Sequence, residues 1–178
     1  AVQLRLWIQN GLQADSSGTQ LDPFAKAVEY FSQGKDQLGN NKLHDLFDQG
    51  IYHPLVDDAI LEMSTHKTGD NVMTVYQALV SYLDQSGGTS PLHERLLWEK
   101  ARIADQFVTN ENIRFSLSGN NSDSLSAEQQ FFNGSKQQGR QPIPTNTEEL
   151  ITIYEDILMN YPNGFYASYV RNRINELQ

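Results

Sequence analysis

Val72, Val75, Tyr76, Leu79, Val80 and Leu83 fall at i, i+3, i+4, i+7, i+8 and i+11. That spacing gathers side chains on one stripe of an α-helix and predicts a helix over about 71–85. Gly69-Asp70 before it and Ser86-Gly-Gly88 after it supply the breaks. The next helix opens at Ser90-Pro91, a capping hydroxyl followed by proline at the first helical position. It carries Leu96, Leu97, Ala101, Ile103, Ala104, Phe107 and Val108 on an arc broad enough to make it central. Upstream, Asp22-Pro23 gives a similar start before Phe24, Ala27, Val28 and Phe31, with Gly34 as the stop. Leu43, Leu46 and Phe47 mark a short helix ending at Gly50. His53-Pro54 opens another, with Leu55, Val56, Ala59, Ile60 and Met63 inward, and the first fourteen residues, with Leu4, Trp7, Ile8 and Leu12, read as one more.

From Thr109 to Thr147 the periodicity lapses into Asn, Ser, Gly and Gln. Ile113, Phe115 and Leu117 alternate with polar residues as a short strand would, and Leu125 to Phe132 has the content of a helical turn anchored by Phe131-Phe132. So long a stretch inside a compact domain reads as a partly ordered excursion available to a partner. Asn120-Asn-Ser122 and Asn133-Gly-Ser135 fit the glycosylation acceptor pattern, which chance alone supplies in so Asn- and Ser-rich a segment.

The pattern resumes at about 147, where Leu150, Tyr154, Ile157, Leu158 and Tyr161 share a face. Pro162 cannot continue a helix and biases Tyr161 toward extended backbone. Asn163-Gly164 is suited to a left-handed turn, after which Ala167, Val170, Ile174 and Leu177 renew the stripe. The small Ala167 lets the two helices approach, so the segment predicts a tight antiparallel hairpin. Beside the core stripe, Glu149, Ile153, Asp156 and Asn160 form a second one, and Tyr169 lies off the inward face of the following helix. These five are the candidate partner-binding residues, although Ile153 and Tyr169 could equally pack on preceding helices.

The run Tyr154-x-x-Ile157-Leu158-x-x-Tyr161-Pro162-x-Gly164-x-Tyr166-Ala167-x-x-Val170-x-x-Arg173-Ile174-x-x-Leu177 resembles the tetratricopeptide-type hairpins of bacterial envelope proteins, including outer-membrane assembly lipoproteins and Tol-associated coordinator proteins. The resemblance covers about residues 147–177. Val170 stands where the family's usual residue is small, and the Trp and Leu-Gly elements of a full repeat are missing elsewhere. The resemblance implies a protein-binding scaffold without catalysis, in the periplasm or cell envelope, with a cytoplasmic setting as the alternative.

These patterns together predict an all-α fold, an irregular array of antiparallel helix pairs of tetratricopeptide-like or α-solenoid kind. It reads as a single helical domain over 1–178, with a helical array at 1–108, the excursion at 109–147 and a repeat-like hairpin at 148–178. Predicted starts near 54, 71 and 91 are spaced by 17 and 20 residues, roughly half the period of about 34 residues in helix-pair repeats.

Composition narrows the function classes. The chain's 178 residues allow one sizeable core, and eight Phe, eight Tyr and two Trp supply apolar area to fill it. Asp and Glu number 22 against 13 Lys and Arg, a net charge of −9, and a field of that sign repels nucleic acid and anionic lipid. Between Asp45 and Asp70, six acids face the single base Lys67, so a basic protein or peptide would fit, unless these are simply solvated helix faces. The absence of cysteine removes disulfides, thiol nucleophiles and thiolate metal sites. No apolar run is long enough to insert in a membrane, and Ala1–Ile8 lacks the layout of a signal peptide, so the sequence reads as a soluble chain or the mature part of an exported one.

Enzyme chemistry has weaker support. His44-Asp45 resembles the His-Asp pair of metal-dependent phosphohydrolases, with His53, Asp57 and Asp58 near in sequence, and a metal- or carboxylate-based hydrolase around His44, Asp45 and His53 is the alternative function. Asp58, Glu62 and His66 are spaced i, i+4, i+8, but His66 falls in the apolar arc and Asp58 outside it. Glu94 and Glu99 flank Trp98, and either is a conceivable glycosidase acid. No phosphate loop, dinucleotide fingerprint or G-x-S-x-G occurs, so no catalytic, metal or cofactor residue is assigned and no cofactor is expected. A structural subunit of a larger assembly is the third class.

Overall fold

The structure, a computed structural model, describes residues 2–14, 16–19, 21–47, 55–67, 71–109 and 143–178. Among them are eight helices and no strand: α1 (Val2–Ala14), α2 (Leu21–Ser32), α3 (Asp36–Phe47), α4 (Val56–Thr65), α5 (Val72–Ser86), α6 (His93–Thr109), α7 (Thr147–Asn160) and α8 (Ala167–Leu177). The all-α class follows. The strand and helical turn expected at 113–117 and 125–132, and both Asn-x-Ser sequences, lie outside the described residues. The chain forms two compact units, Ala1–Leu96 and Leu97–Gln178, divided within α6 just after its first turn.

In the first unit each helix packs on its neighbour in sequence: α1 on α2, α2 on α3, α3 on α4, α4 on α5. α1 docks through Trp7, whose ring meets Phe24 of α2 edge-on at 4.8 Å. The α2–α3 joint is closest, and two glycines make it. Gly34 takes φ +69, and Gly34 N and Lys35 N donate to Phe31 O and Tyr30 O at 3.0 and 2.9 Å. These bonds close α2 with a left-handed cap that satisfies its last carbonyls. Gly39, inside α3, lies against the Phe31 ring, in space that any Cβ would need. Helix α3 begins at Asp36, seven residues before the short helix expected from Leu43. Gly39-Asn40-Asn41 has poor helix propensity and no apolar periodicity, and tertiary contact with α2 outweighs both.

α4 and α5 supply most of this unit's interior, with Val56, Ala59, Ile60, Met63, Val75, Tyr76 and Leu79 all at 1% exposure or less. The Tyr76 phenol is pushed up to about 12 by burial. Gly87, at φ +56, caps α5 where the sequence break stands. Ser90 Oγ accepts from Leu92 N at 3.0 Å, as a capping hydroxyl should, and donates to Asp57 Oδ2 at 2.7 Å, tying the approach of α6 to the first turn of α4.

The second unit comprises α6 from Leu97 onward and the α7–α8 hairpin. α7 starts on Asn146, whose side chain accepts from Glu149 N at 2.9 Å, while Glu149 Oε2 reaches back to Thr145 N at 2.7 Å. This is the reciprocal arrangement of a capping box, displaced by one residue. Leu150, Tyr154 and Ile157 of α7 and Ala167 and Val170 of α8 are buried. At the corner Tyr161 leaves the helix at φ −135, ψ 66, outside the α region that the following proline disfavours. The expected left-handed Asn163-Gly164 turn is corrected: Gly164 is not among the glycines with positive φ. Two successive tight turns, Gly164 N to Tyr161 O at 3.1 Å and Ala167 N to Gly164 O at 3.2 Å, link the helices instead. Arg171 donates to the Pro162 carbonyl and holds the corner against α8.

Candidate functional site

The second unit carries an open cleft of about 370 Å³ lined by Trp98, Arg102 and Asp105 of α6, Tyr154 of α7, and Tyr169, Asn172, Arg173 and Glu176 of α8. The α6 residues recur at i, i+4 and i+7, and the α8 residues at i, i+3, i+4 and i+7. Each wall is therefore one stripe of a helix. Tyr154 is 2% exposed.

One end of the cleft is aromatic. Trp98 stacks on Tyr166 at 5.1 Å with 11° between planes, and Tyr154 and Tyr169 approach it at tilted 6.2 Å contacts. Tyr169 remains 57% exposed and Phe165, edge-on to Tyr166, 74% exposed. Rings held by rings yet open to water supply contact area whose rotamers are already fixed.

The other end is ionic and internally paired. Arg173 Nε and Nη2 donate to the two oxygens of Asp105 at 2.7 and 2.8 Å, and Tyr154 Oη donates to Asp105 Oδ2 at 2.9 Å. Arg173 Nη1 also donates to Glu176 at 2.7 Å. Burial alone would raise the Asp105 carboxyl, but hydrogen bonds from Arg173 and Tyr154 outweigh it and hold Asp105 below its ordinary value. The same contacts, led by Asp105, raise the Arg173 guanidinium, while the Tyr154 phenol is raised first by burial and then by the Asp105 charge. Asp105 is thus a fixed anion with both oxygens occupied, unfit as a general base. Beside it, Arg102 Nη1 donates to both oxygens of buried Glu99 at 2.9 and 3.0 Å. A carboxylate so occupied is not a glycosidase acid, which must be protonated and free to donate.

The structure distributes the five candidate partner-binding residues over two places. Glu149, Ile153, Asp156 and Asn160 share a face of α7. There Glu149 is committed to the helix cap, which lowers its carboxyl chiefly through the Thr145 backbone N–H. Asn160 donates to Asp156 Oδ1 at 3.0 Å, and Ile153 is half-buried. Tyr169 lines the cleft, which none of the other four does. Trp98, Arg102, Asp105, Asn172, Arg173 and Glu176 are not among the partner-binding residues expected from the sequence, although Trp98 and Arg173 stand out there for other reasons. Their repeat along two helix faces was a usable signal, whereas the pairing of Asp105 with Arg173, 68 positions apart, was not.

In the first unit, His66 sits just beyond α4, stacked on Phe31 at 4.2 Å, with Nδ1 3.4 Å from Asp36 and Nε2 3.9 Å from Glu62. Asn40 Nδ2 donates to the His66 carbonyl at 3.4 Å. His66 therefore joins α2, α3 and α4. Asp58, expected outside the apolar arc, is half-buried. Burial raises its carboxyl, with the Trp7 indole facing it, outside hydrogen-bond geometry, as a partial counterweight. Glu62 is likewise raised by burial, against the opposing charges of His66 and Arg95. Among the described residues no three His, Asp or Glu side chains converge as metal ligands would. The His44 and Asp45 side chains and the whole of His53 lie outside the described residues. No helix among the described residues is long and apolar enough to cross a membrane.

Compared with family models, with curated proteins and with solved structures, the chain matches none.

Proposed function

We propose that this protein is a non-catalytic helical scaffold that binds a protein or peptide, and that the cleft between α6 and α8 is its binding surface. The observation that carries this reading is the pairing of pre-oriented aromatics, the half-buried Trp98 and the exposed Tyr169, with a polar wall whose ions are already paired with one another. Interfaces draw their energy from a few Trp, Tyr and Arg anchors, and their specificity from a polar rim. A reaction needs a group left free to accept or deliver a proton, and the cleft carboxylates are held by arginines instead. The resemblance of the Tyr161-Pro162 hairpin to tetratricopeptide-type units, with the sequential packing of α1 to α5, supports an irregular helical array and a bacterial envelope setting.

Selection of a displayed random peptide library on the immobilised protein tests the function. Enriched peptides should bind the wild type and lose at least about tenfold in affinity to Tyr169→Asp, with the helical circular dichroism signal unchanged. Loss to Ile153→Asp but not to Tyr169→Asp would move the surface to the outer face of α7. No enrichment above an unrelated helical protein would end the peptide-binding reading.

A further inference from the structure

Asn163-Gly164 stands at the corner between α7 and α8, within the two tight turns that join them. An asparagine followed by glycine carries a reaction of its own. The backbone nitrogen of the next residue can close a five-membered ring on the side-chain Cγ, and glycine, with no Cβ, leaves that nitrogen unshielded. Having lost its proton to hydroxide, the nitrogen attacks Cγ. The N–Cγ bond forms, the Cγ–Nδ2 bond breaks, and Nδ2 leaves as ammonia with a proton from solvent. Water then opens the cyclic imide. Breaking the new N–Cγ bond gives aspartate, and breaking the original backbone C–N bond gives isoaspartate, in which the main chain runs through Cβ and Cγ. Either product has one more negative charge than asparagine, and water is the only reactant consumed.

The fold decides which such step is open to the reaction. Two Asn-Gly steps lie among the described residues, and a third, Asn133-Gly134, lies outside them. Asn10-Gly11 is inside α1, with Gly11 buried and Asn10 half-buried. A helix commits the glycine N–H to a carbonyl four residues back and fixes the asparagine ψ at about −42°. Ring closure turns that ψ, so at Asn10 it needs local opening of α1. Asn163 is exposed and in a turn, and its carboxamide makes no hydrogen bond among the described residues. The restraint on its nucleophile is the turn bond from Gly164 N to Tyr161 O at 3.1 Å. A neutral bond of this kind contributes too little to slow closure by more than about tenfold.

The consequence falls on the corner itself. While the imide stands, Gly164 has no N–H to give Tyr161 O, and the first turn loses its bond. Isoaspartate restores the N–H but adds a methylene to the main chain between turns closed at 3.1 and 3.2 Å. We infer that Asn163 is a site of spontaneous deamidation, and that its conversion to isoaspartate, through the inserted methylene, loosens the corner from which α8 starts.

The test is incubation of the whole protein at mildly alkaline pH, native and in urea. Each Asn-Gly site is followed by peptide mapping with electron-transfer fragmentation, which tells isoaspartate from aspartate. In the native protein Asn163 should convert within about tenfold of its rate in urea, while Asn10 should lag its own urea rate by much more. The Asn163 rate should rise with pH, as attack by a deprotonated nitrogen requires. It should fall several-fold in Gly164→Ala, a substitution the backbone accepts because Gly164 has no positive φ. Asn163 held back by the native fold as strongly as Asn10 overturns the assignment. The isoaspartyl form, isolated by ion exchange, tests the consequence. Its Ala167 and Val170 amides, which donate to Gly164 O and Tyr166 O, should exchange hydrogen faster than in fresh protein. They should also exchange faster than in Asn163→Asp, which brings the charge without the methylene. Exchange no faster than in Asn163→Asp overturns the loosening.

Discussion

Gly39 shows how far one residue's meaning depends on its neighbours in space. In isolation it is the weakest point of α3, since glycine inside a helix costs about 1 kcal/mol relative to alanine. In the fold its missing Cβ is where the Phe31 ring lies, and that ring is pinned by its parallel stack on His66, itself bonded through its carbonyl to Asn40. Two effects compete in Gly39→Ala. Helix propensity gains about 1 kcal/mol, and forcing a methyl into an occupied interior costs about 1–3 kcal/mol. The second should win because Phe31, buried and stacked, has little room to retreat. Urea unfolding should therefore show Gly39→Ala less stable by about 1 kcal/mol. The penalty should shrink in a Phe31→Leu background, the coupling expected of two groups that share one volume. A variant more stable than the wild type would mean that the ring yields freely.

At the level of elements, the sequence located helices wherever apolar periodicity was strong, and its errors have physical causes. α5, α6, α7 and α8 lie within a few residues of where spacing and cap residues put them. The start of α3 was missed because tertiary contact, not pattern, makes it helical. The corner was legible through Pro162 but not in its turn geometry, because consecutive tight turns close it without a left-handed Gly164. Candidate chemistry was less legible. Tyr169 was singled out, but its partners stand on another helix, and the cleft exists only once α6 and α8 face each other across Tyr154. The ion pair that fixes this arrangement carries its own test. Asp105 and Arg173 side chains are 15% and 29% exposed, well short of a surface pair. Arg173→Met should cost about 2 kcal/mol, because it leaves a half-buried carboxylate with only neutral hydroxyl donors, Tyr154 first among them. Much of that loss should return in the double variant Arg173→Met with Asp105→Asn. Denaturant melts read by Trp98 fluorescence measure both, and a loss below about 0.5 kcal/mol would reduce the pair to surface decoration.

Across the whole molecule, the two units should answer acid with opposite sign. In the first, Asp58 and Glu62 are raised by burial above 3.8 and 4.5, the ordinary values for Asp and Glu. The folded state therefore binds protons more readily than the unfolded chain between those values and the raised ones. Stability rises as pH falls through that window and is fully gained below it. In the second, Asp105 is held below 3.8 by Arg173 and Tyr154. Its contribution is fully present above 3.8 and is lost as pH falls through the lower folded value. The windows do not overlap, so the responses separate in a single pH series. Each unit also has its own reporter, Trp7 in the first and Trp98 in the second. Trp98→Phe should give thermal melts, read by Trp7, whose midpoint climbs as pH falls from neutral toward 4.5. Trp7→Phe should give melts, read by Trp98, in which the Asp105 contribution holds until pH drops below 3.8 and then fails. Asp58→Asn with Glu62→Gln should flatten the first profile and leave the second untouched. A first profile that falls between neutral pH and 4.5 would mean that burial does not govern Asp58 and Glu62. A shared profile in both variants would mean that the two units melt as one and that the pH response belongs to the net charge of −9.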